Sequence, residues 1–460
     1  GWNANLSTGP ASAIPHFKRA IEIDPEFAMA QANLGFMHTN TGETELGAEY
    51  TRKAYELRDR VSDRERLFIL VLYDRQVTGN LESAYQTLES WLRAYPRGDE
   101  PPSPYDLLGG IAPQGTGRFE RAIEISRRCI AARPDVAFCY GNLASSYFFT
   151  GLFAEAESTL QQASEKRKVA GPTSLVMRYN IALLRGDKDQ MDRIVAQARG
   201  KSGMEHALDH AEALGLARSG RLQAAARLSN RAVDLALHEG QREPAANYRA
   251  ARAVWEAVCA KAAEGENSAM AALDLSKGRD VQYAAGFALG LSGDYSRSDA
   301  LAGGLEKRFP EDTFVKFTYA PVLRALAALG RGKPADSVER LEITRQYELA
   351  VNDLNHDHFY LGGLHSAYVR GEALVALHRY AEAAAEFQKI VDHRGIVGLD
   401  PIGALVHVQL GRTYALSGDK ARAKAAYAVF LTLWKDADPD IPILKSAKTE
   451  SARLQRATQR

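Results

Sequence analysis

The stretch HDHFYLGGLH places His356, Asp357, His358 and His365 within ten residues, side chains of the kind that bind a transition metal. Imidazoles beside a carboxylate ligate zinc when they converge on one point. His356 and His358 converge only in a strand or an irregular loop, and no second cluster is fixed in sequence to complete a ligand set. The stretch therefore reads as a polar loop leading into a helix at 364–377. His356, His358 and His365 remain metal candidates, and no metal or cofactor is expected. The glycine-rich stretches LGRGKPADS and GGIAPQGTGR lack the GK[ST] of a phosphate loop and follow no strand. No G-x-S-x-G elbow occurs, and no Cys pairs with a His in a nucleophile motif. The chain is expected not to be an enzyme.

Composition narrows the partners. Lys+Arg 58 against Asp+Glu 57 leaves a formal charge of +1, so no general attraction to nucleic acid or anionic membrane follows. The apolar run LFILVLY is far shorter than the roughly 18–20 residues that span a bilayer. Three cysteines, Cys129, Cys139 and Cys259, make neither a disulfide framework nor a zinc site. Cys129 holds the small-residue slot filled elsewhere by Ala20 and Ala54, which reads as a buried alanine surrogate. Cys139 opens the next helix, within range of a disulfide to it.

These residues hang on a repeat. A turn followed by a helical pattern recurs at Gly9, Gly42, Gly79, Gly117, Gly151, Gly186, Gly220, Gly293, Gly332 and Gly418, with Ala260 and His378 in the equivalent place. The steps are 33, 37, 38, 34, 35, 34, 40, 33, 39, 46 and 40 residues. Within the period, Leu410-Gly411-x2-Tyr414 precedes Ala423-x3-Tyr427, and Tyr140-x2-Leu143-Ala144-x2-Tyr147 precedes Ala156-x3-Leu160. Ala13-x3-Phe17 with Pro25, and Ala84-x3-Leu88 with Pro96, are second helices. The small residue beside Leu lets two antiparallel helices approach, the aromatic fills the next gap, and Pro stops the second helix.

This pattern resembles the tetratricopeptide repeat (TPR). It predicts an all-α fold, a right-handed α-solenoid of about twelve TPR-like helix pairs over 1–439, with an insertion near 345–361. Pro113 breaks one first helix and Pro321 sits near the start of another. Each unit is expected to touch only its neighbours. After Pro439 and Pro442, the stripe Ile443, Leu444, Ala447, Ala452 and Leu454 predicts a C-terminal capping helix over 440–460.

The strings RAIEIDPEFAMAQANLG, EYTRKAYELRDRVSDRERL, KRFPEDT, EFQKIVDHRG and YAVFLTLWKDADPDIPILKSAK go further. They resemble the C-terminal TPR region of bacterial Ser/Thr protein kinases and winged-helix regulators, with no kinase or winged-helix domain in this chain. The resemblance implies a sensor or scaffold arm that recruits another protein. It also implies an extracytoplasmic position if the array follows a membrane helix in a longer product.

The ligand expected is a protein or peptide in the superhelical groove. Asn33, Phe36, Tyr73, Asn142, Phe148, Tyr283, Phe287, Tyr368 and Arg412 fall on the inward side of first helices. Asn there bridges to peptide backbone and aromatics form side-chain pockets, or the aromatics serve inter-repeat packing instead. Residues 1–25 read as the tail of a first helix, a turn at Gly9-Pro10 and a complete second helix ending at Pro25. The chain is thus expected to be a piece of a longer product whose cut edge leaves an apolar face. Head-to-tail self-association through 1–25 and 440–460, giving a filament, is the alternative.

Overall fold

Among the described residues, positive φ occurs at Gly200, Gly203, Gly240 and Gly398 and at all twelve positions that the repeat spacing marked. Ten of those twelve are glycines, where φ between 71° and 98° costs nothing sterically. The other two, Ala260 at φ 64° and His378 at φ 59°, are the positive-φ non-glycine residues among those described. The repeat imposes the turn even where the side chain opposes it, at a cost of roughly 1–2 kcal/mol each. The computed structural model describes residues 1, 9–96, 103–108, 110, 115–167, 172–201, 203–351 and 364–456.

Around the turns whose two flanking segments are described, two helices pack antiparallel, and among the described residues no strand occurs: the fold is an all-α solenoid. Ala28–Asn40 pairs with Thr44–Glu56, Arg242–Val258 with Ala262–Leu275, and Ile402–Leu416 with Lys420–Leu433. Helix starts are set locally where the sequence supplies an acceptor. Ser62 and Glu65 form a reciprocal capping box on Asp63–Tyr73. The carboxylates of Asp187, Asp294 and Asp419 each accept from a backbone N–H three residues on, at 3.0 Å. Pro321 falls at the second residue of Ala320–Gly330, directly after a wide turn of π-helix over Val315–Tyr319. That turn accommodates the missing proline N–H. Pro113 and residues 352–363, most of the inserted segment, lie outside the described residues. A helix over Pro442–Arg456 buries Leu444, Ala447 and Ser451 beside the last pair.

The expectation that each repeat touches only its neighbours is overturned. Residues about two hundred positions apart meet again and again, so consecutive turns of the superhelix lie edge to edge. The N-termini of second helices in the first turn face the starts of first helices one turn later. The Glu243 carboxyl accepts from the Thr44 hydroxyl and, at 3.1 Å, from the Glu45 N–H. Glu43 in return accepts from the Glu243 N–H at 3.4 Å. Each glutamate caps the other's helix. The Thr313 N–H donates to the Gly79 carbonyl, and the Thr313 hydroxyl accepts from Leu81 N–H, both at 3.0 Å. Asp438 donates its N–H to the Gly220 carbonyl at 3.0 Å and accepts from Gln223 N–H at 2.8 Å. Thr44–Glu56 and Leu222–His238 carry no local side-chain cap, so these distant acceptors satisfy donors that would otherwise be orphaned.

The seam is also close-packed. A Cβ on Gly395 would stand 2.0 Å from the Phe148 carbonyl, and one on Gly220 would lie 2.6 Å from the Ala437 side chain. Such approaches exclude any larger residue there.

Within one repeat junction, Cys129 of helix Phe119–Ala132 and Cys139 of helix Ala137–Phe149 form a disulfide, with Cα atoms 5.7 Å apart. Cys259 is free and buried, and burial pushes its thiol up to about 12. Iodoacetamide should label no cysteine in the native chain and only Cys259 after unfolding without reductant. Mass spectrometry showing two or three labelled cysteines would refute the pairing.

Burial raises the Glu243 carboxyl to about 8, helped by Glu43 and Glu45, against the pull of its hydrogen bonds. The folded chain therefore keeps a proton that the unfolded chain releases above about 4.5. Stability from this group is full below that value and declines as pH rises to about 8. Each pKa unit corresponds to about 1.4 kcal/mol, so the slope is measurable. Glu243→Gln, which keeps the neutral shape, should flatten the fall in melting temperature between pH 5 and 8 and melt higher than wild type at pH 8. Parallel melting curves for the two proteins across that range would exclude this role.

Candidate binding cleft

First helices of a solenoid line its inner surface, and here that surface is mostly closed. In Arg279–Leu291 every residue from Val281 to Gly290 is buried, and Arg242–Val258 is buried over most of its circumference. Alanines such as Ala245, Ala246, Ala250 and Ala253, all fully buried, allow this close approach of helices.

The groove residues expected from the sequence divide accordingly. Asn33, Phe148, Tyr283, Phe287 and Tyr368 are buried, so they do not line an open groove. The Asn33 amide is turned back on the Met29 carbonyl at 2.7 Å. Tyr283 stacks on Tyr319, Phe287 stacks on His365, and Tyr368 meets Phe387 edge-on. Phe36, Tyr73, Asn142 and Arg412 are half-buried. Phe36 packs on Phe68, Tyr73 stacks on Tyr55 with ring centroids 3.7 Å apart, and Asn142 lies against Gly110. The physical reason is the tight superhelix, which brings inner faces into contact with one another.

His365, a metal candidate expected at the start of the helix at 364–377, opens helix His365–Ala376 and is a core residue. Its Nε2 lies 2.7 Å from Asp400 and its Nδ1 3.2 Å from the Tyr283 hydroxyl. With both ring nitrogens engaged, it has no lone pair to offer a metal. His356 and His358 lie outside the described residues. The hydroxyl–imidazole–carboxylate line is the geometry that activates a nucleophile. Here Tyr283, His365 and Asp400 are 1%, 0% and 2% exposed, so no substrate reaches them and the line holds helices together. Burial also pushes the Tyr283 hydroxyl well above its ordinary range.

First-helix side chains reach solvent at the carboxy-terminal end. A cleft of about 670 Å³ opens between the first helices of the last three repeats and helix Pro442–Arg456. Leu329, Val375, Ala415, Leu416 and Leu454 form its apolar wall. Leu416, 56% exposed at the edge of this wall, continues the apolar surface into solvent.

The polar side of the cleft is organised by one ion pair. The Arg412 Nε and Nη2 donate to both oxygens of Glu450 at 3.0 Å, and the Tyr427 hydroxyl donates to the same carboxylate at 2.7 Å. These bonds hold the Glu450 carboxyl below its usual value although burial opposes them. Glu372 stands apart. It accepts from the Gln409 amide at 2.8 Å, and no cation among the described residues lies within salt-bridge distance of it. Burial raises its carboxyl to about 7, and nearby Arg412 lowers it only in part. Arg412 is the one expected groove residue on this cleft; Glu372, Gln409, Tyr427 and Glu450 were not anticipated. A second hollow, about 150 Å³, holds Arg324, which is already paired with Asp299 and Glu306.

Among the described residues no helix is long and apolar enough to cross a membrane. No protein-family model matches the chain, and no curated protein matches it. Among solved structures, the APC/C hetero-tetramer Cut9–Hcn1 aligns over 98% of this chain and 94% of that one, at 10% identity and a TM-score of 0.36. Yeast Tom70 aligns over 95% of this chain and 97% of that one, at 14% identity and a TM-score of 0.34. The solenoid is established by the chain's own twelve turns and helix pairs, not by these distant likenesses.

Proposed function

We propose that the chain is a non-enzymatic protein-interaction scaffold or sensor arm that docks a segment of another protein at the carboxy-terminal cleft. The supporting observation is the cleft itself, an uncovered apolar wall with polar groups on one side at the end of an otherwise closed inner surface. That combination suits a protein segment rather than a diffusible metal or nucleotide. The sequence resemblance to the TPR arms of bacterial kinases and winged-helix regulators points to the same role. The Cys129–Cys139 disulfide fits an oxidising compartment, in line with the extracytoplasmic position that the resemblance implies.

Photo-crosslinking tests this reading. The full chain carrying benzoylphenylalanine at Leu416 should form an adduct with a defined protein of the source cells. A control at Leu237, exposed on the second helix Leu222–His238, should not, and Val375→Asp should abolish the adduct at 416. Equal labelling at both positions would sink the proposal.

The ends support a second reading, head-to-tail self-association through 1–25 and 440–460. Ile23 and Phe27 are 72% and 46% exposed at one end, and Leu416, Val429 and Leu433 are 56%, 44% and 44% exposed at the other. Under this reading mass in light scattering grows with concentration and Ile23→Glu stops the growth; a constant monomer mass rejects it.

A further inference from the structure

We infer that the cleft holds the cationic side chain of a lysine or arginine presented by an extended segment of the partner, with its head group on Glu372 and its aliphatic stem along Leu329, Val375 and Leu416. This rests on the cleft being the docking site.

The charges in the cleft choose among ligands. Arg412 is occupied, its Nε and Nη2 both donating to Glu450. An anionic side chain finds Arg453 only at the exposed rim; on Arg412 it would have to displace the Glu450 carboxylate, and deeper in the cleft it would meet Glu372. A purely apolar side chain would fill the wall but cover Glu372, leaving a desolvated carboxylate with two neutral donors, the Gln409 amide and the Tyr368 hydroxyl, and no cation. A long cationic side chain meets both demands, because its methylenes bury against apolar surface while its head pairs with the carboxylate. The Gln409 amide and the Tyr368 hydroxyl both donate to the Glu372 carboxylate, and its remaining lone pairs accept from the ligand.

Proton linkage gives an independent signature. The groups facing Glu372 are Tyr368 on its own helix, Gln409 and Arg412 on Ile402–Leu416, Tyr427 on Lys420–Leu433, and Glu450 and Arg453 on Pro442–Arg456. The Tyr368 and Tyr427 hydroxyls are pushed up by burial, Glu450 is held low and Arg412 high by their pairing. Glu372, at about 7, is therefore the carboxyl that changes charge across neutrality. A ligand cation binds its ionised form, so affinity increases as pH rises.

The test uses the full chain and fluorescein-labelled pentapeptides Gly-Leu-Xaa-Leu-Gly, with Xaa lysine, arginine, norleucine or glutamate, in anisotropy titrations at pH 6, 7 and 8. Lysine and arginine peptides should bind roughly tenfold more tightly than norleucine at pH 8. Their affinity should rise about tenfold from pH 6 to 8. Glu372→Gln, which keeps a hydrogen bond to Gln409, should erase both the preference and the pH dependence while the circular dichroism spectrum stays unchanged. Leu416→Ser, at an exposed position, should weaken every peptide alike. Norleucine or glutamate binding as tightly as lysine, a lysine preference that survives Glu372→Gln, or no saturable binding of the lysine and arginine peptides would each overturn the inference. Cross-linking at 416 without a lysine preference would overturn this inference alone and leave the docking site standing.

Discussion

Everything in this solenoid depends on how a helix N-terminus finds hydrogen-bond acceptors. The first N–H groups of an α-helix have no partner inside it. In Thr44–Glu56 and Leu222–His238 the acceptors come from Glu243 and Asp438, one superhelical turn away. Because Glu43 caps the helix of Glu243 in exchange, neither side of the seam is complete without the other. A repeat protein is ordinarily a one-dimensional stack whose stability is a sum of neighbour terms. The seam adds a second dimension. Repeats far apart in sequence share hydrogen bonds, and the inner helices, pressed together, become core.

The turns were legible in the sequence because their cause is local. A left-handed residue between two antiparallel helices recurs in every period, so spacing identified Ala260 and His378 as turns despite their side chains. The groove was not legible. Whether Phe148, Tyr283, Phe287 and Tyr368 face a channel or a core depends on superhelical pitch, a sum of small rotations over many repeats that no single motif encodes. The same applies to His365, whose partners Tyr283 and Asp400 lie 82 and 35 residues away. Arg412, expected on the groove from its place on a first helix, lies in the lining of the cleft. Glu372 gave no signal, since a glutamate among alanines and leucines on a helix normally faces water; only the packing of its helix against Ile402–Leu416, which brings Gln409 and Arg412 to it, reveals its setting.

One buried polar network ties the last repeats together. Arg370 is fully buried, yet its guanidinium donates to Glu348 at 2.8 Å, to Glu386 at 2.7 Å, to the Leu341 carbonyl at 2.9 Å and to the Thr344 hydroxyl at 2.7 Å. Lys389 joins both carboxylates. Replacing such a network by apolar groups is often neutral for stability, whereas removing one member strands the rest. Its directional bonds fix how the last repeats sit on one another. Arg370 shares helix His365–Ala376 with Glu372 and Val375, so the polar network and the cleft are built on one element.

The seam also imposes an order in time. Thr44 and its acceptor Glu243 are separated by 199 residues. At a synthesis rate of about 5–20 residues per second, the early helix waits roughly 10–40 s for the segment that completes it. During that interval the first turn of the superhelix is an open ribbon, its apolar inner side facing water with nothing stacked upon it. Nascent chains of this protein thus pass through a sticky, half-wound stage that length alone does not predict, and the mid-chain repeats from Glu243 onward are the ones that begin to close it.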